Sequence, residues 1–117
     1  MDIKTCRYLD GSGNEYIINY KPEITIEYIP VKPLQSSSGI YDGGDYIKKE
    51  ITIPQYNKII STLRKAIENR DIYITDRVKG SGMIISQKEN KKNVYILEPG
   101  SKEIDNIEKN LREAIGN

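Results

Sequence analysis

Alternation of apolar and polar residues is clearest in the segment EITIEYIP, residues 23–30. Its apolar residues occupy every second position from Ile24 to Tyr28, with Glu or Thr between them, which is typical of a strand with one buried face. Upstream, IKTCRYL and EYIINY flank DGSGN, whose glycines supply the positive φ of a tight reversal. Residues 2–20 are therefore predicted to form a hairpin that leads into a third strand.

Two segments instead repeat apolar residues every three or four positions. After Thr52, an N-cap residue with Gln55 placed as its capping-box partner, such a stripe predicts a helix over residues 54–69. Ser101 precedes a second stripe, which predicts a helix over residues 102–115. The shared core is expected to contain Ile24, Ile26, Ile59, Ile60, Leu63, Ile67, Leu111 and Ile115.

Between the helices, DIYITDRV, GMIISQK and NVYILE are separated by short polar turns and are predicted to form a three-stranded meander. The segment YIKKEIT adds a short strand before the first helix. Short links between neighbouring strands favour antiparallel pairing. The predicted fold is α+β, a mainly antiparallel sheet of five to seven strands with two amphipathic helices on one face, in a single domain over residues 1–117.

Composition and charge narrow the classes of function. The chain carries 18 basic and 17 acidic residues, so it has no strong net electrostatic field that would attract polyanions or a membrane surface. One cysteine allows no intramolecular disulfide, and no apolar run approaches the length of a membrane span. We therefore expect a cytoplasmic protein without membrane contact.

Candidate chemistry is limited by the absence of histidine, the commonest general base and metal ligand. Cys6, on the first predicted strand, is expected to be a core residue rather than a nucleophile. The glycine-containing loops SSSGIYDGGDY and KGSG, residues 36–46 and 79–82, lack the strand–loop–helix context of a phosphate loop, and KGSG is predicted to be a turn. No catalytic residue, metal site or cofactor is predicted.

A Ser/Gly-rich loop, SSSGIYDGGDY at residues 36–46, is the segment in which a partner site is expected. The loop is longer than a plain connection needs to be. A plain connection also has no use for the aromatic side chain of Tyr41. The alternative is a structural loop in which Tyr41 plugs the end of the core. The predicted partner-binding residues are Ser36, Ser37, Ser38, Tyr41, Asp42, Gly43, Gly44 and Asp45.

The leading functional hypothesis is a small non-catalytic binding or protein-interaction domain that displays the loop of residues 35–45. One alternative is an enzyme with Asp42 or Asp45 as its base, assisted by Tyr41 or Lys79. Another is weak nucleic-acid binding, which the charge balance disfavours. Several predicted strands carry apolar residues on both faces, so a protein partner or a homodimer is expected rather than a small molecule.

Overall fold

The computed structural model describes residues 5–20, 23–31, 44–88 and 91–116. Within these ranges the elements are β1 (Thr5–Leu9), β2 (Glu15–Asn19), β3 (Thr25–Ile29), β4 (Ile47–Glu50), α1 (Ile53–Glu68), β5 (Gly82–Lys88), β6 (Lys91–Leu97) and α2 (Lys102–Ala114). A short 3-10 turn, Arg70–Ile72, follows α1.

The strands form one antiparallel sheet of six strands in the order β4-β3-β2-β1-β5-β6. The predicted hairpin is confirmed, since Leu9 of β1 lies opposite Glu15 of β2. The strand after the first helix does not continue from β4 but pairs with β1, which places β1 near the centre of the sheet. The predicted α+β class with five to seven strands is confirmed.

Helix α1 begins where the sequence indicates. The Thr52 hydroxyl accepts a hydrogen bond from the Gln55 amide at 3.2 Å, and the Thr52 amide donates to the Gln55 side chain at 2.8 Å, which completes a capping box. Pro54 lies in the first turn, where its missing N–H leaves no hydrogen bond unmade. Neither helix of the described ranges has the length and apolar character that crossing a bilayer requires.

The two helices run antiparallel on the same face of the sheet. Asn69, which follows α1, donates to Glu103 at the start of α2 at 2.6 Å. Near the opposite ends, Lys58 and Glu113 form an ion pair at 3.2 Å. The prediction that both helices cover one sheet face is therefore confirmed.

The core lies between this helical layer and the sheet. Of the predicted core residues, two are partly buried at its margin, Ile24 and Ile67. The others are buried: Ile26, Ile59, Ile60, Leu63, Leu111 and Ile115. Tyrosine supplies the aromatic content, as a row of mutually tilted rings along Tyr8, Tyr16 and Tyr28 with centroids 6.4 and 4.9 Å apart.

The predicted strand over DIYITDRV, residues 71–78, is wrong. Its start belongs to the 3-10 turn Arg70–Ile72, and Tyr73 makes only an isolated bridge to Leu97 of β6. Both sides of β5 are occupied by β1 and β6, so the segment lies at the outer edge of β6. There Ile74 donates to the Ile96 carbonyl at 2.9 Å and Glu98 donates to the Ile72 carbonyl at 2.7 Å, and a bend at residues 75–76 then ends the pairing.

Candidate functional site

The sheet face turned away from the helices, hereafter the open face, carries a group of apolar side chains. In β1 and β2 the buried residues alternate with partly exposed ones, and residues directly opposite each other in antiparallel strands share a face. The register therefore places six apolar residues on the open face of four adjacent strands: Leu9, Ile17, Met83, Ile85, Val94 and Ile96.

These residues are arranged in two rows across the strands. One row crosses from Ile17 past Arg7 to Ile85 and Val94. The next row runs along Leu9, Met83 and Ile96, on β1, β5 and β6. Val94 is 49% exposed, and the other five apolar side chains are partly buried among their neighbours.

An ion pair lies within this apolar group. The Arg7 guanidinium contacts the Glu15 carboxylate, diagonally across β1 and β2. The side chain of Arg7 is 42% exposed and that of Glu15 is 17% exposed. Because the two charges neutralise each other, the pair adds no net charge to the apolar part of the open face.

The β3–β4 side of the open face is polar except for Ile29 of β3, which lies opposite Glu15 and is 37% exposed. Glu27 of β3 lies opposite Lys48 of β4, and its carboxylate accepts a hydrogen bond from the Tyr46 hydroxyl. Lys48 is exposed, as are its neighbours Lys49 and Glu50 on this edge strand. Charged residues of this kind discourage pairing of the edge with another strand.

Most of the predicted loop site lies outside the described residues. This applies to Ser36, Ser37, Ser38, Tyr41, Asp42 and Gly43. Gly44 and Asp45 are described, and both are exposed just before β4. Gly44 has a φ of 107°, a conformation that favours glycine. The binding role of the loop stays a prediction.

A second chemical feature is a hydrogen bond between Tyr8 of β1 and Glu108 of α2, which was not predicted from the sequence. The Tyr8 hydroxyl, fully buried, donates to the Glu108 carboxylate at 2.7 Å. Burial raises the pKa of Tyr8 and also that of Glu108. The sequence nevertheless indicates that Glu108 faces the core, because it lies one helical turn after Ile104 on the apolar stripe of α2.

This pair is closed off by packing. A Cβ atom at Gly82 would lie 2.6 Å from the Tyr8 hydroxyl oxygen and 3.2 Å from Ile104. The hydroxyl is thus held between the backbone of β5 and the carboxylate of α2. The arrangement satisfies a buried polar group rather than presenting a reactive one.

Glu108→Gln is expected to leave the protein at least as stable at neutral pH, with a gain below about 1 kcal/mol. The amide oxygen still accepts from Tyr8, whereas the desolvated charge is removed. In the wild type the raised pKa makes the folded state bind a proton more readily than the unfolded state, whose value is near 4.5. Stability therefore rises as the pH falls from neutral toward that value.

The measurement is urea denaturation of both proteins at a series of pH values. Asp10 and Asp105 raise the Glu108 pKa further, while Arg112 lowers it, so the difference between the two proteins isolates residue 108. The wild type should gain stability on acidification relative to the variant. An unchanged difference across the series would contradict the assigned direction of the shift.

Two glycine-containing turns predicted from the sequence, DGSGN at residues 10–14 and KGSG at residues 79–82, lie against each other. A Cβ atom at Gly11 would lie 2.7 Å from the Cα atom of Gly80. Arg77 joins the loops by donating to the carbonyl oxygens of Asp10 at 3.0 Å and Ser81 at 2.9 Å. The backbone groups at this contact thus take part in structural hydrogen bonds.

The remaining candidate residues are either buried in the core or exposed one by one on the surface. Burial raises the pKa of the Cys6 thiol to about 12, so the thiol is protonated at neutral pH, as expected of a core residue. Lys79 is exposed in the loop that contacts Gly11, while exposed Asp45 precedes the edge strand β4. No group of three or more Cys, Asp or Glu residues in the described ranges is placed to hold a metal ion.

A cleft between α1 and α2 has a volume of about 80 Å³. It is lined by Gln55, Lys58, Ile59, Asn110, Glu113 and Ala114. Pockets for drug-sized ligands usually measure roughly 300–1,000 Å³, so this cleft is too small for such a molecule. The open face is therefore the largest candidate surface among those described.

Four of the open-face residues follow a pattern visible in the sequence. Ile17 beside Ile18, and Ile96 beside Tyr95, place apolar side chains on both faces of a strand. Met83 and Ile85 show the same pattern in the run MIIS, but only their pairing with β1 shows that they lie on the open face.

Comparison with protein-family models, curated proteins and solved structures finds no match to this chain.

Proposed function

We propose that this protein is a non-catalytic protein-interaction domain and that the open face is its binding surface. The observation that carries the proposal is the group of apolar side chains on β2, β1, β5 and β6, opposite the face that the helices cover. Contiguous apolar surface that stays in contact with water loses the free energy that its burial would gain, and such patches commonly mark interfaces.

The composition of the open face supports a protein partner. The apolar residues extend across the sheet to the β6 edge, and charged residues such as Glu27 and Lys48 lie toward the β4 edge. Protein–protein interfaces usually combine apolar and polar parts in this way. A flat sheet face also suits a macromolecular surface better than a small ligand, which requires a concave site.

The two alternative functions gain less support. An enzyme without histidine would need a titratable group with access to a substrate, yet the Tyr8–Glu108 pair is packed against Gly82. Nucleic-acid binding would need a basic groove. The lysines and acids of β4 are mixed, and the net charge of the chain is only +1. The loop of residues 35–45 remains a predicted second contact region.

Val94→Glu and Val78→Glu provide a matched test. Both valines are about half exposed, at 49% and 53%, but Val94 lies on the open face and Val78 in the loop before β5. The immobilised wild type and both variants are used to capture proteins from cells of the source organism, and recovery is quantified by mass spectrometry.

A partner that binds the open face should be lost with Val94→Glu, by about tenfold or more, and retained with Val78→Glu. Near-ultraviolet circular dichroism of each variant verifies that the fold is intact. If every specifically captured protein is recovered equally by both variants, the open face is not the binding surface.

A further inference from the structure

We infer that the outer edge of β6 is a site at which an extended peptide segment with an acidic residue adds a further strand to the sheet. This inference rests on the proposed function and deepens it, because β6 borders the open face and the inference names the chemistry of the partner. It is carried by the backbone groups that this edge leaves unpaired and by the charge of the side chains beside them.

Within the described ranges, the chain itself covers only one part of this edge. Residues 72–74 pair with the stretch from Ile96 to Glu98 through two backbone hydrogen bonds, of 2.9 and 2.7 Å. A bend at residues 75–76 ends this pairing. The other part of the edge, residues 91–94, is hereafter the open edge, and all of its residues are exposed.

The hydrogen bond to Ile96 shows which backbone groups of the open edge point outward. The Ile96 carbonyl accepts from Ile74, so the backbone groups of Ile96 point away from β5. Successive residues of a strand direct these groups to opposite sides, so Val94 and Lys92 also direct their N–H and C=O groups outward. In the part of the chain that the structure describes, none of these groups has a backbone partner. An added strand would satisfy them, as in β-augmentation.

The side chains beside these groups give the open edge a positive charge. Lys91 and Lys92 are exposed, and neither forms an ion pair with a described residue. No acid lies opposite either of them on β5, whereas Lys48 of the other edge strand, β4, lies opposite Glu27. The open edge therefore repels another positively charged strand and favours one that carries an acid.

The register predicts the side chains that such a peptide carries. An antiparallel strand, which continues the line of residues 72–74, places one residue opposite Val94 and the residue two positions later opposite Lys92. Directly opposite residues share a face, so an apolar residue packs on the half-exposed Val94 side chain and an acid pairs with Lys92. The expected ligand is an extended segment with an apolar residue followed two positions later by an acid.

Titration of the ¹⁵N-labelled full chain with capped seven-residue peptides tests the inference. The matching peptide has valine at its third position, glutamate at its fifth and threonine elsewhere. At up to about 1 millimolar it should shift the backbone amide signals of Lys92 and Val94. A peptide with lysine in place of the glutamate should bind at least tenfold more weakly. A peptide methylated on the valine amide nitrogen lacks the donor to the Val94 carbonyl and should not bind.

Lys92→Glu and Lys79→Glu are the matched protein variants. Both lysines are exposed, but Lys79 lies in the turn before β5, at the other end of the β5–β6 hairpin. Lys92→Glu should weaken binding of the glutamate peptide at least tenfold and strengthen binding of the lysine peptide, a reversal that loss of folding cannot produce. Lys79→Glu should leave both affinities unchanged.

Three results would overturn the inference: no binding of the matching peptide, equal binding of the glutamate and lysine peptides, or undiminished binding of the methylated peptide. These failures are distinguishable from failure of the proposed function. If one of them occurs while capture of a protein is lost with Val94→Glu and kept with Val78→Glu, the edge site is refuted and the open face stays the binding surface. If capture is also unaffected by Val94→Glu, both are refuted.

Discussion

Leu63→Ala is expected to lower the free energy of unfolding by about 2–5 kcal/mol. Leu63 lies in the middle of α1 and is only 2% exposed, within the core that the two helices and the sheet share. Truncation removes three carbon atoms from contact with these neighbours and leaves a cavity, because the antiparallel helices are fixed at both ends by polar contacts. The cost therefore includes both lost transfer free energy and lost packing.

Chemical denaturation of the wild type and the variant measures this cost. Arg64→Ala, at the adjacent exposed position of α1, is the control and should change stability by no more than about 0.5 kcal/mol. A loss below that value for Leu63→Ala as well would mean that α1 presents a different face to the sheet.

Gly82→Ala is expected to destabilise the protein by about 1–3 kcal/mol, although alanine is normally the better strand residue. The new methyl group would lie 2.6 Å from the Tyr8 hydroxyl oxygen. Tyr8 is fully buried and its hydroxyl is held by Glu108, so the ring has no free direction in which to move. The clash therefore displaces the hydroxyl from its acceptor.

A double-mutant cycle with Tyr8→Phe assigns this cost to the hydroxyl. Tyr8→Phe removes the atom nearest to the new methyl group, so Gly82→Ala should cost less in that background than in the wild type. The two changes should be non-additive by about 1 kcal/mol. Additive costs would show that the strain at Gly82 arises elsewhere, as against Ile104, which lies 3.2 Å from the same Cβ position.

Local signals predicted the helices and most of the strands. The capping box of Thr52 and Gln55 and the stripe that follows it specify α1 within one residue at each end. The alternation in β3 and the glycine turn between β1 and β2 were equally informative. These features are encoded by residues close together in the chain, which is why the sequence alone identifies them.

Features that depend on distant pairing were not predicted. The segment of residues 71–78 has the alternation of a strand, but both neighbours of β5 are occupied by β1 and β6. The contact of Gly11 with Gly80 likewise depends on the pairing of β1 with β5. Periodicity reports which face of an element is apolar, but it carries no information about the order of the strands.

The candidate site was also predictable only as far as local sequence patterns allow. Apolar residues on both faces of single strands predicted a second surface that requires a partner, and the register of the sheet then gathered those residues into one group. The predicted loop residues depended on composition alone. Only Gly44 and Asp45 of that set fall within the described ranges, so the binding role of the loop stays a prediction.

Methyl NMR spectroscopy of the protein, titrated with a protein that the wild type captures, tests most directly whether the open face is the binding surface. With Ile and Val methyl groups labelled, the signals of Ile17, Ile85 and Val94 should shift as the partner is added. Those of Ile53 and Val78, which are exposed elsewhere, should remain fixed. Shifts confined to Ile53 or Val78, or no shift at any open-face methyl group with the partner in excess, would contradict the proposed binding surface.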